Sequence, residues 1–233
     1  NSTTTNKSVD ISVPIESSAG FVAGLVNSNA STLGVEATAI TRIKFPPPKR
    51  DGTISFTLKS KPGVNNSASI SASVLSTNLT NLANTINNFS GRTGVTANLS
   101  SDKKHLILEN KDGDDIEITS FTGPDSLTKD TTALGAAASD TINFTAHGLS
   151  TGDKIIYTAG GTDLTNLSSG TTYYAIKVDD NNFKLASSSS NASLGTAITV
   201  GGAGGSSTDK FTNPFTIEVL KNNYLSFSTP VSI

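Results

Sequence analysis

The stretch Val26-Asn27-Ser28-Asn29-Ala30-Ser31-Thr32-Leu33-Gly34-Val35-Glu36-Ala37 returns as Ile86-Asn87-Asn88-Phe89-Ser90-Gly91-Arg92-Thr93-Gly94-Val95-Thr96-Ala97. Each matched position lies 60 residues from its counterpart, and Gly follows Asn by seven positions in both copies. An aliphatic residue, Asn, Gly, Val and Ala agree at five positions in one ungapped register. Chance readily matches a dipeptide but rarely a spaced set, so the pattern reads as an internal duplication.

The flanks extend each copy. Before the first, Val9, Ile11, Val13 and Ile15 alternate with polar residues and predict a half-buried strand. Ser17 or Ser18 offers an N-cap to a short helix with Phe21, Val22, Leu25 and Val26 on one face. Gly20 and Gly24 each weaken that helix by about 1 kcal/mol relative to Ala, so packing must hold it. Residues 27–33 read as a polar turn. Val35, Ala37, Ala39 and Ile43 to Phe45 read as a returning strand, and Pro46-Pro47-Pro48 takes the chain out of the sheet.

In the second copy Ile54, Phe56 and Leu58 alternate, and Ile70, Ala72 and Val74 do so again. Thr77 or Asn78 then caps a helix whose Leu79, Leu82, Ala83 and Ile86 share one face. Ser90-Gly91-Arg92 breaks it, and Val95, Ala97 and Leu99 return as a strand. Leu106 and Leu108, then Ile116, Ile118 and Phe121, predict a hairpin about Lys111-Asp112-Gly113-Asp114. The expected fold is mainly β with short helices: antiparallel sheets with a helix on one face in two tandem repeats, plus a small all-β insertion.

That reading sets the boundaries at residues 1–48 and 49–122 for the two repeats, with a Thr/Ala-rich linker at 123–139. An all-β module follows at 140–205. It has strands at Lys154 to Tyr157, Thr172 to Val178, Phe183 to Leu185 and Thr196 to Val200, a turn at Asp179-Asp180-Asn181-Asn182, and a helical turn near Ser188 to Leu194. Residues 206–233 supply two more strands, Phe215 to Val219 and Tyr224 to Phe227, expected to rejoin the first half.

Composition narrows the class. The 233 residues carry 17 Lys and Arg against 19 Asp and Glu, a formal charge of −2 that favours neither a nucleic-acid groove nor an anionic membrane surface. No apolar run approaches the ~20 residues of a membrane-spanning helix. Cys, Met and Trp are absent, which removes disulfides, a thiol nucleophile and thiolate metal ligands. Ser, Thr and Asn exceed a third of the chain while charged residues make up only 15%, a balance suited to strands and turns with hydroxyl and amide surfaces. The start, Asn1-Ser2-Thr3-Thr4-Thr5-Asn6, lacks an initiator Met and a signal-like apolar region, and reads as part of a longer or processed chain.

A strand, an amphipathic helix ending in Ile/Val-Asn, a short polar turn and Gly-Val-x-Ala together resemble the "IN" motif of bacterial flagellins. Val26, Asn27, Gly34, Val35 and Ala37 match it once; Ile86, Asn87, Gly94, Val95 and Ala97 match it again. The resemblance covers roughly residues 9 to 121 and implies the variable outer region of an extracellular filament. The long terminal helices through which flagellins assemble have no counterpart in this sequence. The string from His147 to Ala186 resembles a small β repeat of phage tail fibres and giant adhesins.

Chemistry is sparse. His105 and His147 fall in different modules, and Gly148-Leu149-Ser150-Thr151-Gly152 has the spacing Gly-x-Ser-x-Gly but reads as a turn ahead of a strand, not as the strand-to-helix elbow of a nucleophile. The Asp-rich turns at 112–115 and 179–182 fit no Ca²⁺-loop spacing and read as hairpin turns. Gly201 to Gly205 lacks the ending of a phosphate loop and reads as a linker. Asn-x-Ser/Thr triplets at Asn29, Asn78 and Asn143 follow from composition. Tyr173 and Tyr174 point to opposite strand faces, so one ring is core and the other is a candidate sugar-stacking surface. The expectation is therefore a structural, non-enzymatic protein without metal or cofactor, on an extracellular filament or cell surface. Its expected partners are other copies of itself or neighbouring surface proteins. The alternative is a glycan- or receptor-binding segment of a virion fibre or adhesin.

Overall fold

The computed structural model describes residues 8–60, 66–129, 140–201, 206–220 and 224–228. It is mainly β, with antiparallel sheets and short helices, and divides into two compact units. The first comprises residues 1–47, 54–122 and 217–233; the second comprises 48–53 and 123–216.

The first unit holds both copies. Copy one contains α1 (Ala19–Ser28), α2 (Ala30–Leu33) and β1 (Glu36–Phe45). Copy two contains β2 (Gly52–Lys59), β3 (Ser67–Val74), α3 (Thr80–Asn88), α4 (Ser90–Thr93), β4 (Val95–Leu99), β5 (Leu106–Asn110) and β6 (Glu117–Thr122). The segments between Asn and Gly, expected as plain turns, are the single helical turns α2 and α4. Period-2 burial marks both ends of β1, with Ala37, Ala39, Ile43 and Phe45 inward, and is blurred at Ile40 to Arg42, which are all half-buried. Arg42 points to the other face and pairs with Glu109 on β5.

Two expectations fail in this unit. Residues 8–15 form no strand; Val13 is 47% and Ile15 94% exposed, and only Ile11 packs on the nearby apolar cluster. Alternation marks a segment able to pair, but the ladder needs a partner, and no described strand lies beside it. The hairpin between Leu106 and Phe121 also does not form. β5 is already flanked by β1 and β4, so both its edges are taken, and β6 pairs β2 in a separate sheet of order β3-β2-β6. Residues 111–116 thus carry the chain from one sheet to the other. Phe45 of the first sheet meets Phe56 and Phe121 of the second at 5.8 and 6.2 Å between ring centroids.

The second unit is a six-stranded antiparallel sheet, in which β7 (Ser126–Lys129), β12 (Asp209–Thr212), β9 (Lys154–Thr158), β10 (Thr172–Lys177), β11 (Asn182–Ala186) and β8 (Ile142–Asn143) lie in that order. A short α5 (Ser189–Ser193) follows β11. The expected linker therefore begins with a strand, β7, whose single buried residue, Leu127, was too short a signal to read; residues 130–139 lie outside the described residues. β12, expected with the C-terminal strands, belongs to this sheet through its pairing with β7 and β9. The strand expected at Thr196 to Val200 is an extended stretch next to an isolated bridge between Thr165 and Gly201; residues 202–205 of the expected glycine linker are likewise outside the described set. Ile155, Tyr157, Phe183, Leu185 and Phe211 fill the core.

After this unit, β13 (Glu218–Val219) and β14 (Tyr224–Ser228) return to the first unit, both antiparallel to β1.

Candidate functional site

The repeated motif is a helix-to-strand clamp, built twice. In copy one the Asn27 amide nitrogen donates to the Ala37 carbonyl at 2.9 Å, and the Ala37 N–H donates to Asn27 Oδ1 at 2.7 Å. In copy two the Asn87 amide nitrogen donates to the Ala97 carbonyl at 3.0 Å, and the Ala97 N–H donates to Asn87 Oδ1 at 2.8 Å. Only a primary amide offers a donor and an acceptor in that side-by-side spacing, so the Asn side chain imitates a neighbouring strand.

The other motif residues follow from this clamp. The chain must reverse within seven residues so that position ten returns under the Asn. A single helical turn does this, closed by left-handed glycines at φ 68° (Gly34) and φ 77° (Gly94). Their N–H groups donate to the carbonyls of Ala30 and Ser90, both at 2.7 Å; other residues resist this backbone region. With the helix end held this close, the inward position has room for little more than a methyl group, and Ala37 and Ala97 are 4% and 6% exposed. Val26 and Ile86 anchor the helix from the core side at 8% and 0%. Val95 is fully buried, whereas Val35 is half-buried against its cluster.

The clamp also decides where pairing stops. Ala97 stands opposite Leu108 in the β4–β5 ladder, and β4 is the last strand of its sheet. Its outward backbone groups, which would otherwise offer an open edge, are taken by Asn87. Ala37 stands opposite Phe227 of β14 in the same relation. β14 therefore does for β1 what β5 does for β4. The first copy is completed by a strand that arrives after the whole second unit.

Where the copies meet, the fit is tight. Gly20 at the start of α1 donates its N–H to Gly113 O at 2.9 Å. A Cβ on Gly113 would stand 2.3 Å from that of Ala39, and Gly113 itself has φ 74°. Asn110 shapes this turn, its Oδ1 accepting from the Asp112 and Asp114 N–H groups at 2.8 and 3.1 Å. Sequence reading missed this contact; its only trace was the isolated Gly20 in a helix that gains nothing from it locally.

The remaining candidates take structural places. Tyr173 is buried and its hydroxyl accepts from the Ser168 N–H at 2.8 Å, while Tyr174 is half-buried on the opposite face of β10. Both belong to the second unit, and the repeated motif belongs to the first. His147 is buried: Leu149 donates its N–H to Nδ1 at 3.0 Å, and Nε2 lies 2.8 Å from the Asp179 carbonyl. His105 lies 3.7 Å from Asp102. Hydrogen bonds from the Asn182 side chain and the Asn181 N–H hold the Asp179 carboxyl below its usual range, so the turn itself consumes that carboxylate. Burial pushes the Tyr157 phenol up to about 12; its oxygen accepts from the Leu164 N–H, and its proton faces the buried Asp209. Burial likewise raises Asp125, which accepts from the Lys49 N–H at 2.9 Å.

Among the described residues no group of three or more His, Cys, Asp or Glu side chains is placed to hold a metal ion. No helix of those residues is long and apolar enough to cross a membrane. Compared with known proteins, the chain matches no family model and no curated sequence.

Proposed function

We propose that the chain is a structural, non-enzymatic outer domain of an extracellular filament or surface appendage. The observation that carries this reading is the clamp. Four charge-free hydrogen bonds from Asn27 and Asn87 serve only to fasten helices to strands and to close sheet edges. Every motif residue of the two repeats is used in this way, and the flagellin resemblance rests on those same residues. The second unit, spliced between β6 and β13, would be the variable part facing the medium.

Immunogold electron microscopy of the source material tests it. Label along the outside of helical filaments is the expected result, and label confined to virions or to envelope patches overturns it. A second reading, glycan or receptor binding by the second unit, is favoured by the half-exposed Tyr174 ring beside the buried Tyr173. A glycan-array signal lost in Tyr174→Ala would support that alternative.

A further inference from the structure

The two copies differ in what lies over the helix. In copy two, β3 precedes α3 and pairs with β2, and Leu82, Ala83 and Ile86 are 0–5% exposed. In copy one, residues 8–15 occupy the place of β3 in chain order, carry the same alternation, and join no ladder. Val13, Ile15 and Phe21 remain 47%, 94% and 48% exposed. The internal copy therefore says what belongs there: an antiparallel strand.

We infer that this strand is the same segment of a second copy of the chain, so that Val9 to Ile15 pairs with itself about a two-fold axis at Ser12. The sequence is symmetric about that point. Val9 falls opposite Ile15 and Ile11 opposite Val13, all on one face, while Asp10 faces Pro14 and the two like charges stay apart. The backbone selects the same register. Along an antiparallel pair, positions alternate between pointing their N–H and C=O at the partner and away from it. With Ser12 at a position pointing away, Pro14 points away too. Its missing N–H then costs no bond, and its carbonyl is free for the contacts it already makes with the Ser17 N–H and hydroxyl, at 3.3 and 2.7 Å. The opposite phase would lose the bond from Pro14 and take its carbonyl from Ser17. Self-pairing of this kind closes as a dimer, because an isologous edge is used up on both sides. It stands whether or not the chain belongs to a filament.

The absence of cysteine makes a direct test possible, since each introduced thiol is the only one. Sedimentation equilibrium of the 233-residue protein at tens of micromolar is expected to show a dimer. Ser12→Cys is expected to oxidise to a covalent dimer, because Cα atoms at such a position lie about 4.5 Å apart, within disulfide range. Asp10→Cys, exposed on the same face, is the control: its two thiols would lie about 13 Å apart along the ribbon and stay reduced. Val13→Lys replaces an exposed side chain, so the thermal midpoint measured in dilute monomer should hold while the dimer dissociation constant rises at least about tenfold. A monomeric wild-type protein overturns the pairing, as do equal cross-linking from positions 10 and 12 and a dimer indifferent to Val13→Lys. None of these results bears on the immunogold test of the filament reading.

Discussion

The two copies of the repeat share a clamp and differ in their closure. Copy two is assembled almost entirely from neighbouring sequence: β4 and β5 are joined by a short loop, and its helix α3 packs against β3 and β4. Copy one recruits its second strand, β14, from the far end of the chain, and nothing among the described residues pairs with residues 8–15. The packing records this. α3 buries Leu82, Ala83 and Ile86, whereas α1 buries only Ala23 and Val26 and leaves Phe21 half in water, contrary to the face expected from its sequence. The difference teaches that the motif fixes a local helix-strand joint, and that the stability of the joint depends on what the rest of the chain lays against it.

The largest effect should come from the helix anchors. Ile86→Ala removes a fully buried side chain and should cost about 2–5 kcal/mol in urea unfolding, with Val26→Ala costing roughly half of that. Equal costs would break the comparison by showing that both helices are equally well packed.

Gly113→Ala probes the contact between the copies. It combines a left-handed backbone with a Cβ overlap on Ala39, and a loss of about 2–4 kcal/mol is expected. If the copies are coupled through this turn, amide exchange should accelerate in α1 as well as in β5. Acceleration in β5 alone would separate them.

Asn27→Ala and Asn87→Ala each delete two hydrogen bonds and should cost about 1–3 kcal/mol, alike in both copies because the clamps are alike. The Ala37 and Ala97 amides are the reporters by hydrogen exchange. Asn→Asp keeps the acceptor and loses the donor, and should recover only part of the loss.

The smallest effect is confined to copy two. The exposed Asp102 carboxyl is held below its usual range by hydrogen bonds from the Ser100 hydroxyl and the Lys104 N–H in the β4–β5 loop. A depressed carboxyl stabilises the fold above its unfolded pKa and loses that contribution as pH falls through the folded value. Acidification below about pH 4 should therefore loosen this loop slightly, and Asp102→Asn should remove the dependence. Carbon-detected NMR titration of the Asp102 carboxyl checks it, and a midpoint at or above 3.8 would contradict the loop geometry.

Much of this was legible in the residues. The 60-residue offset marked the two joints and every residue that builds them, and alternation gave the inward faces of β1, β2, β3 and β4 correctly. Ser18 was readable as the cap of α1, and its hydroxyl accepts from the Phe21 N–H at 3.1 Å. What Asn27 and Asn87 do was not legible, because the partner of each is a backbone group ten residues away that leaves no mark in side-chain pattern. The misreadings share a cause. Leu106 to Phe121 alternates like a hairpin, yet β5 and β6 lie in different sheets; Val9 to Ile15 alternates like a strand, yet joins none.

The sequence by itself determined the duplication, the Ser18 cap of α1 and the inward faces of β1 to β4, the last two set by residues within about ten positions of one another. The cap expected for α3 at Thr77 or Asn78 falls instead at Leu79, without a side-chain bond. Tertiary structure alone decided which edge each strand takes, that β14 closes the first copy, and that β12 stays with the second unit. A strand's side chains alternate whatever lies beside it. Its partner is chosen by backbone hydrogen bonds, which are nearly the same for every residue, so the choice falls to packing among distant segments.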